Sequence, residues 1–294
     1  METPDFAAAA SFVAANGRVL DRRRFERLFL GGSAFGGSAT PVRDAVAAYR
    51  NADGGFGHAL EPDCRCDASQ PAAVEMALRV MHECDAWDSA LVSGACDWLG
   101  SVAPDEGGAA FVEPTVSEGA HAPWWVAEDG HPASLIATGM ITGTLHARGF
   151  SHPWLKAATE VMWTRLEKAE QPSAYEMFGI LAFLRYVPDT ARARDALGQV
   201  GPMLTAVVEL DPDATGEVHG PLDFAPEPES PARGLFDDAV IDAHLNRLAT
   251  GQRDDGGWSF NWPSWSPAAE RDWRGALTVD AIRTLRANGR RIPG

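Results

Sequence analysis

Three carboxylates, an imidazole and a guanidinium crowd the stretch His58-Ala59-Leu60-Glu61-Pro62-Asp63-Cys64-Arg65-Cys66-Asp67-Ala68-Ser69-Gln70, between a glycine turn and an apolar helical pattern. Side chains of these types at the foot of a helix do acid–base work. Glu61 or Asp63 would move a proton, and Arg65 with His58 would hold an anionic group beside the orphan amides of the helix start. The competing reading is a capping loop, in which Arg65 pairs with Glu61 or Asp67 and Ser69 caps the helix. A third candidate acid, Asp223, lies in Pro221-Leu222-Asp223-Phe224. Substrate-binding candidates are the loop aromatics: Phe224, Trp124-Trp125 after Pro123, and Trp262 and Trp265 around Pro263. Rings off the helix faces can form a wall for apolar or sugar surfaces and attract cations, worth about 0.5 to 2 kcal/mol each. They can equally plug the ends of a helical scaffold.

Metal chemistry finds little support in the spacing. Cys64, Cys66, Cys84 and Cys96 form no CxxC pair, and His121, His131, His146 and His152 show no repeated ligand spacing. Reduced, buried thiols and no metal are therefore expected. With 41 acidic against 25 basic residues the net charge is -16, which repels nucleic-acid phosphates and anionic lipid heads. The only lysines are Lys156 and Lys168, which nearly excludes a P-loop or Schiff-base lysine. The Ala7–Ala10 run follows Glu2 and Asp5 rather than a basic segment, and no apolar stretch approaches about 18 residues. The expectation is a cytoplasmic protein with no integral membrane association and a small-molecule partner.

The elements that must position these residues repeat. Asn51-Ala52-Asp53-Gly54-Gly55-Phe56-Gly57 and Gln252-Arg253-Asp254-Asp255-Gly256-Gly257-Trp258 are Asp-Gly-Gly-aromatic turns, and Asp105-Glu106-Gly107-Gly108 with Phe111 is a weaker copy. The second glycines, Gly55, Gly108 and Gly257, are 53 and 149 residues apart. A period of about 50 residues implies about six helical hairpins, with degenerate members in the gap. Val74, Ala77, Leu78 and Met81 follow helical spacing after Pro71, and Ala281-Ile282-Arg283-Thr284-Leu285 matches Ala77-Leu78-Arg79-Val80-Met81 in a helix expected over 273–288. Further helices are expected at 6–15, 21–29, 40–50, 90–99, 132–147, 153–168, 173–186, 191–208 and 236–249. No strand pattern competes, so the fold class is all-α, one domain over 1–294. Long loops, notably 209–231 and 258–267, are expected on one face of the scaffold.

At Gln252-x-x-x-Gly256-x-Trp258 the chain resembles the QW repeat of squalene and oxidosqualene cyclases, and Asp53 to Gly57 resembles the repeat of protein prenyltransferase β subunits. The resemblance implies an (α/α)6 toroid, with Gln252 and Trp258 as structural staples. It also implies terpenoid cyclase-like chemistry on a hydrophobic or isoprenoid small molecule, by a carboxylic acid in an aromatic-lined pocket. Two departures weigh on that chemistry. The Asp-x-Asp-Asp motif has only Asp211-Pro212-Asp213-Ala214 to offer, which reads as a proline turn, and the prenyltransferase zinc spacing fails because Arg65 follows Asp63 by two residues. No cofactor is expected, with magnesium needed only if the substrate carries a diphosphate. A carbohydrate lyase or hydrolase on the same ring, and a non-catalytic binding or scaffold toroid, are the alternatives.

Overall fold

The computed structural model describes residues 3–31 and 37–292, among which lie twelve α-helices, two short 3-10 turns and no strand. The helices are α1 (Phe6–Asn16), α2 (Val19–Phe29), α3 (Thr40–Ala47), α4 (Pro71–Glu83), α5 (Ser89–Ser101), α6 (Leu135–Ala147), α7 (Pro153–Glu167), α8 (Ala174–Tyr186), α9 (Thr190–Thr205), α10 (Pro221–Phe224), α11 (Asp238–Thr250) and α12 (Pro267–Ala287). Their starts follow from local chemistry. Side-chain oxygens of Asp5, Asp88, Ser134, Ser173 and Ser266 accept first-turn amides of α1, α5, α6, α8 and α12. Proline stands in the first turn of α4, α7, α10 and α12, where its missing N–H costs nothing. Helix α12 begins at Pro267 rather than near Trp273, because Ser266 Oγ accepts the Ala269 N–H and Pro267 presets the first turn. Asp211-Pro212-Asp213 is indeed a turn, closed by Asp213 N–H donating to Asp211 Oδ1 and Ala214 N–H to Asp211 O. No helix among the described residues is long and apolar enough to cross a membrane.

The chain divides into two compact units, one running from Val42 to Leu204 and the other joining the residues before Val42 to those from Thr205 onward. Within the Val42–Leu204 unit, α6 and α8 approach so closely that only glycine fits. A Cβ on Gly179 would lie 2.0 Å from Leu135 O, and one on Gly139 would lie 2.3 Å from Gly179 O. Around this contact, Val74, Leu78, Ile141, Leu145, Ile180 and Phe183 are fully buried. In the other unit α12 packs on α1, α2 and α11, and α10 packs on α11. Arg24 ties α2 to α12 from a fully buried position, at 2.7 Å from Asp280.

The three turns share one construction. Gly54, Gly107 and Gly256 have φ of 99, 89 and 89°, a conformation that disfavours any side chain. Each donates its N–H to the carbonyl three residues back, of Asn51, Pro104 and Arg253. In the first and last copies the aspartate before the glycine pair, Asp53 or Asp255, accepts the amide of the second glycine. The aromatic that follows, Phe56 or Trp258, is buried. In the last copy Gln252 then grips the start of α1: Oε1 accepts Asp5 N–H at 2.6 Å, while Nε2 donates to Asp5 O at 2.8 Å and to Gly256 O at 2.9 Å. Trp258 Nε1 donates to Leu248 O near the end of α11. Both side chains hold helix ends.

Candidate functional site

A cavity of about 490 Å³ opens within the unit that contains the C-terminal third of the chain. Two helices give it a floor and a side. From α11 come His244, Arg247 and Leu248, and from α12 come Leu277, Asp280, Ala281 and Thr284. Both sets follow the i, i+3, i+4 spacing that puts side chains on one helix face. The extended segment after the last glycine turn supplies an aromatic wall of Trp258, Phe260 and Trp262. Phe260 and Trp262 stack with centroids 4.5 Å apart, and Trp262 meets Trp273 edge-on at 5.3 Å. The loop leading to α10 closes the remaining side with Glu209, Asp211, His219 and Gly220, and α10 itself adds Asp223. Asn261 Nδ2 donates to Val218 O at 2.7 Å, joining the aromatic segment to that loop.

Asp223 is the acid of this wall. Its Oδ2 accepts the Gly220 N–H at 2.8 Å, and among the described residues no hydrogen bond reaches Oδ1. The carboxyl keeps a face open to the cavity mouth, yet protein atoms crowd behind it. Burial pushes it above the ordinary aspartate range, against the opposing pull of the Gly220 amide and of His219 and His244. His244 is itself oriented. Its Nε2–H donates to Leu210 O at 3.1 Å, so in the neutral ring Nδ1 is the lone-pair nitrogen. That nitrogen packs against Gly220, where a Cβ would come within 2.9 Å of it. His219 meets Phe224 edge-on at 6.4 Å. A carboxyl that desolvation biases toward its protonated form, two imidazoles near it and an aromatic wall are groups of the kind that can serve proton transfer to a small ligand.

Of the residues singled out from the sequence, Asp223 and Trp262 meet in this cavity. Phe224 is buried behind Asp223, and Trp265 lies just before the cap of α12 without lining the cavity. The others gather in the Val42–Leu204 unit. Arg65 N–H donates to Ala120 O and Ala122 N–H to Asp63 O, so the segment carrying Asp63 and Arg65 is zipped to the one that leads into Trp124-Trp125. Glu61 is buried with Oε2 accepting Cys64 N–H at 2.5 Å, and Asp63 is buried as well. His58 bridges Asn51 Oδ1 at 2.8 Å and Asp67 at 3.2 Å. Trp125 stacks on Phe111 at 5.0 Å, while Trp124 is largely exposed. Gln70, Glu113 and Thr115 complete a hydrogen-bonded frame around the start of α4. The four cysteines are free thiols, buried, with Cys64 and Cys66 sulfurs 3.6 Å apart. No grouping of three or more His, Cys, Asp or Glu side chains suited to a metal ion occurs among the described residues.

Sequence reasoning passed over His219, His244, Glu209 and Phe260. One signal for the aromatics was present. Trp258-x-Phe260-x-Trp262 has the two-residue period that places alternate side chains on one face of an extended segment. The histidines carried no such mark, being 25 positions apart on a loop and on a helix.

No family model and no curated protein matches the chain. A crystal structure of a protein from Actinoplanes is similar in fold, with a TM-score of 0.60 at 14% identity, covering 96% of this chain and 98% of that one. At that identity the likeness concerns the fold alone, and it extends over nearly the whole length of both proteins.

Proposed function

We propose that this protein is a small-molecule enzyme in which Asp223 delivers a proton to a ligand lying on Trp258, Phe260 and Trp262. The observation that carries the reading is the convergence of a carboxyl raised by burial with a stacked aromatic wall in one cavity. The division of labour is that of a terpenoid cyclase-like enzyme: an acid starts the reaction and aromatic faces stabilise the positive charge that develops. Magnesium enters only if the substrate carries a diphosphate. The reading is framed by an (α/α)6 closure of the helical hairpins with the long loops on one face, which the three equivalent glycine turns support.

The test is turnover. Purified protein is incubated with neutral isoprenoid alcohols and epoxides and with prenyl diphosphates, with and without magnesium, and products are read by gas chromatography and mass spectrometry. Product formation that Asp223→Asn abolishes and Asp223→Glu partly retains is expected. Because the acid must be protonated, the rate should fall as pH rises through the elevated carboxyl pKa. Full activity in Asp223→Asn, or no product and no binding from any of these substrates, would sink the assignment. A polar rim of Glu209, Asp211 and Asn261 beside the rings favours a second reading, a carbohydrate-processing enzyme. Release of reducing sugar from an oligosaccharide panel would select it.

A further inference from the structure

We infer that the cavity selects an organic cation, an amine or quaternary ammonium group carried on an apolar body, in preference to a neutral or phosphorylated ligand. This rests on the reading that the cavity is where the substrate binds. Glu209, Asp211 and Asp280 face one arginine, Arg247, and that guanidinium already lies 3.4 Å from Asp213; Asp223, the carboxyl that burial biases toward its neutral form, is left out of this balance. Asp280 is held by Arg24 at 2.7 Å. Glu209 and Asp211 have no cationic partner among the described residues: each accepts only a backbone amide, of Asp211 and of Asp213. A phosphate or diphosphate entering here would meet uncompensated carboxylates and no free guanidinium.

A positive charge would meet the opposite. Trp258, Phe260 and Trp262 line the same space, Phe260 and Trp262 as a stacked pair, and cation–aromatic attraction strengthens as water is displaced. Carboxylates and ring faces therefore act together on a cation, whereas a neutral body gains only from the rings. The donor set argues for an organic cation over an inorganic one. A hard divalent ion needs several oxygen ligands converging on one point, and no cluster of three or more suitable side chains exists among the described residues. An ammonium group on an apolar stem needs only proximity to carboxylates and a ring to lie against.

Isothermal titration with benzyltrimethylammonium, its neutral carbon isostere neopentylbenzene, and benzyl phosphate tests this without requiring turnover. The ammonium compound should bind at least tenfold tighter than the isostere, about 1.4 kcal/mol, with benzyl phosphate weaker still. Raising sodium chloride from about 20 mM to about 0.5 M should weaken the cation and leave the isostere unchanged, since a shorter screening length cuts only the charge component. Trp262→Ala should cost the cation several-fold, and Trp262→Phe, which keeps a ring and guards against misfolding, should restore most of it. Equal or tighter binding of the isostere or of benzyl phosphate would overturn the inference. So would displacement of the ammonium compound by magnesium chloride combined with indifference to Trp262→Ala, which would mark an inorganic cation site. A protein that shows the cation preference but forms no product refutes the proposed enzyme and leaves this inference standing. Turnover of a neutral substrate without the preference does the reverse.

Discussion

Gly179→Ala sets two effects of opposite sign against each other, and the geometry of α6 and α8 decides between them. In an exposed helix interior the change from glycine to alanine stabilises by about 1 kcal/mol, because the unfolded chain loses freedom it no longer has to give up. At position 179 the added carbon would lie 2.0 Å from Leu135 O, 2.7 Å from Leu135 C and 2.8 Å from the Ile136 Cα. All three are backbone atoms, so no side chain can rotate away and the two helices must part by roughly an ångström, a gap that forfeits a quarter to a half of each dispersion contact along the seam. Overpacking of this kind costs about 1–3 kcal/mol and occasionally more. With rigid backbone on both sides the upper end applies, and subtracting the propensity gain leaves a net loss of about 2 kcal/mol, or roughly 4–8 °C in melting temperature. The internal control is Gly198→Ala, in the middle of α9, where nothing lies within 4 Å of the new Cβ and the glycine is exposed. That variant should gain about 0.5–1 kcal/mol. Thermal and urea unfolding, followed by circular dichroism at the helical band, compare the two directly. Should Gly179→Ala prove as stable as Gly198→Ala, the close contact of α6 with α8 is wrong.

Gln252→Ala removes three partly exposed hydrogen bonds, two that join the last glycine turn to the start of α1 and one within the turn, and should destabilise by about 1–2 kcal/mol. Amide exchange should accelerate in the first turn of α1 ahead of α12, and uniform exchange in both helices would contradict the staple. Asp223→Asn should alter stability in a pH-dependent way. Burial raises the folded-state carboxyl, so its contribution is complete below the ordinary aspartate pKa and is lost as pH rises through the elevated value. The variant, which cannot ionise there, should gain on the wild type as pH climbs through that window, and a pH-independent difference measured by urea unfolding would show that the carboxyl is not desolvated. Cys96 should resist alkylation in the native protein. Burial, with Asp97 adding to it, pushes its thiol up to about 12, so iodoacetamide near pH 8 should modify it only after unfolding, as peptide mass mapping would reveal.

The parts of this molecule that were legible in its sequence are those whose causes are local. A glycine pair after aspartate announces a left-handed turn because few other residues tolerate φ near 90°, and the copies at Gly54, Gly107 and Gly256 were recoverable at the right register for that reason. Helices with a clean apolar period, such as α4, were recoverable too. The start of α12 was not, because the cap signal of Ser266-Pro267 directly follows Trp262-Pro263-Ser264-Trp265, whose proline and aromatics have the pattern of a loop. The site was harder for a different reason. Density of charge along the chain singles out the His58–Gln70 segment, but neighbours in sequence have every opportunity to satisfy one another, and there Glu61 accepts the Cys64 amide while His58 bridges Asn51 and Asp67. Asp223 is surrounded in sequence by proline, leucine and phenylalanine, none of which can pair with it. Its company of His244, Trp258, Phe260 and Trp262 arrives from α11 and from the turn before α12. An acid isolated along the chain and met in space only by a backbone amide has its carboxyl pKa raised by desolvation, and a carboxyl not spent on a neighbouring side chain is the kind that a ligand can engage.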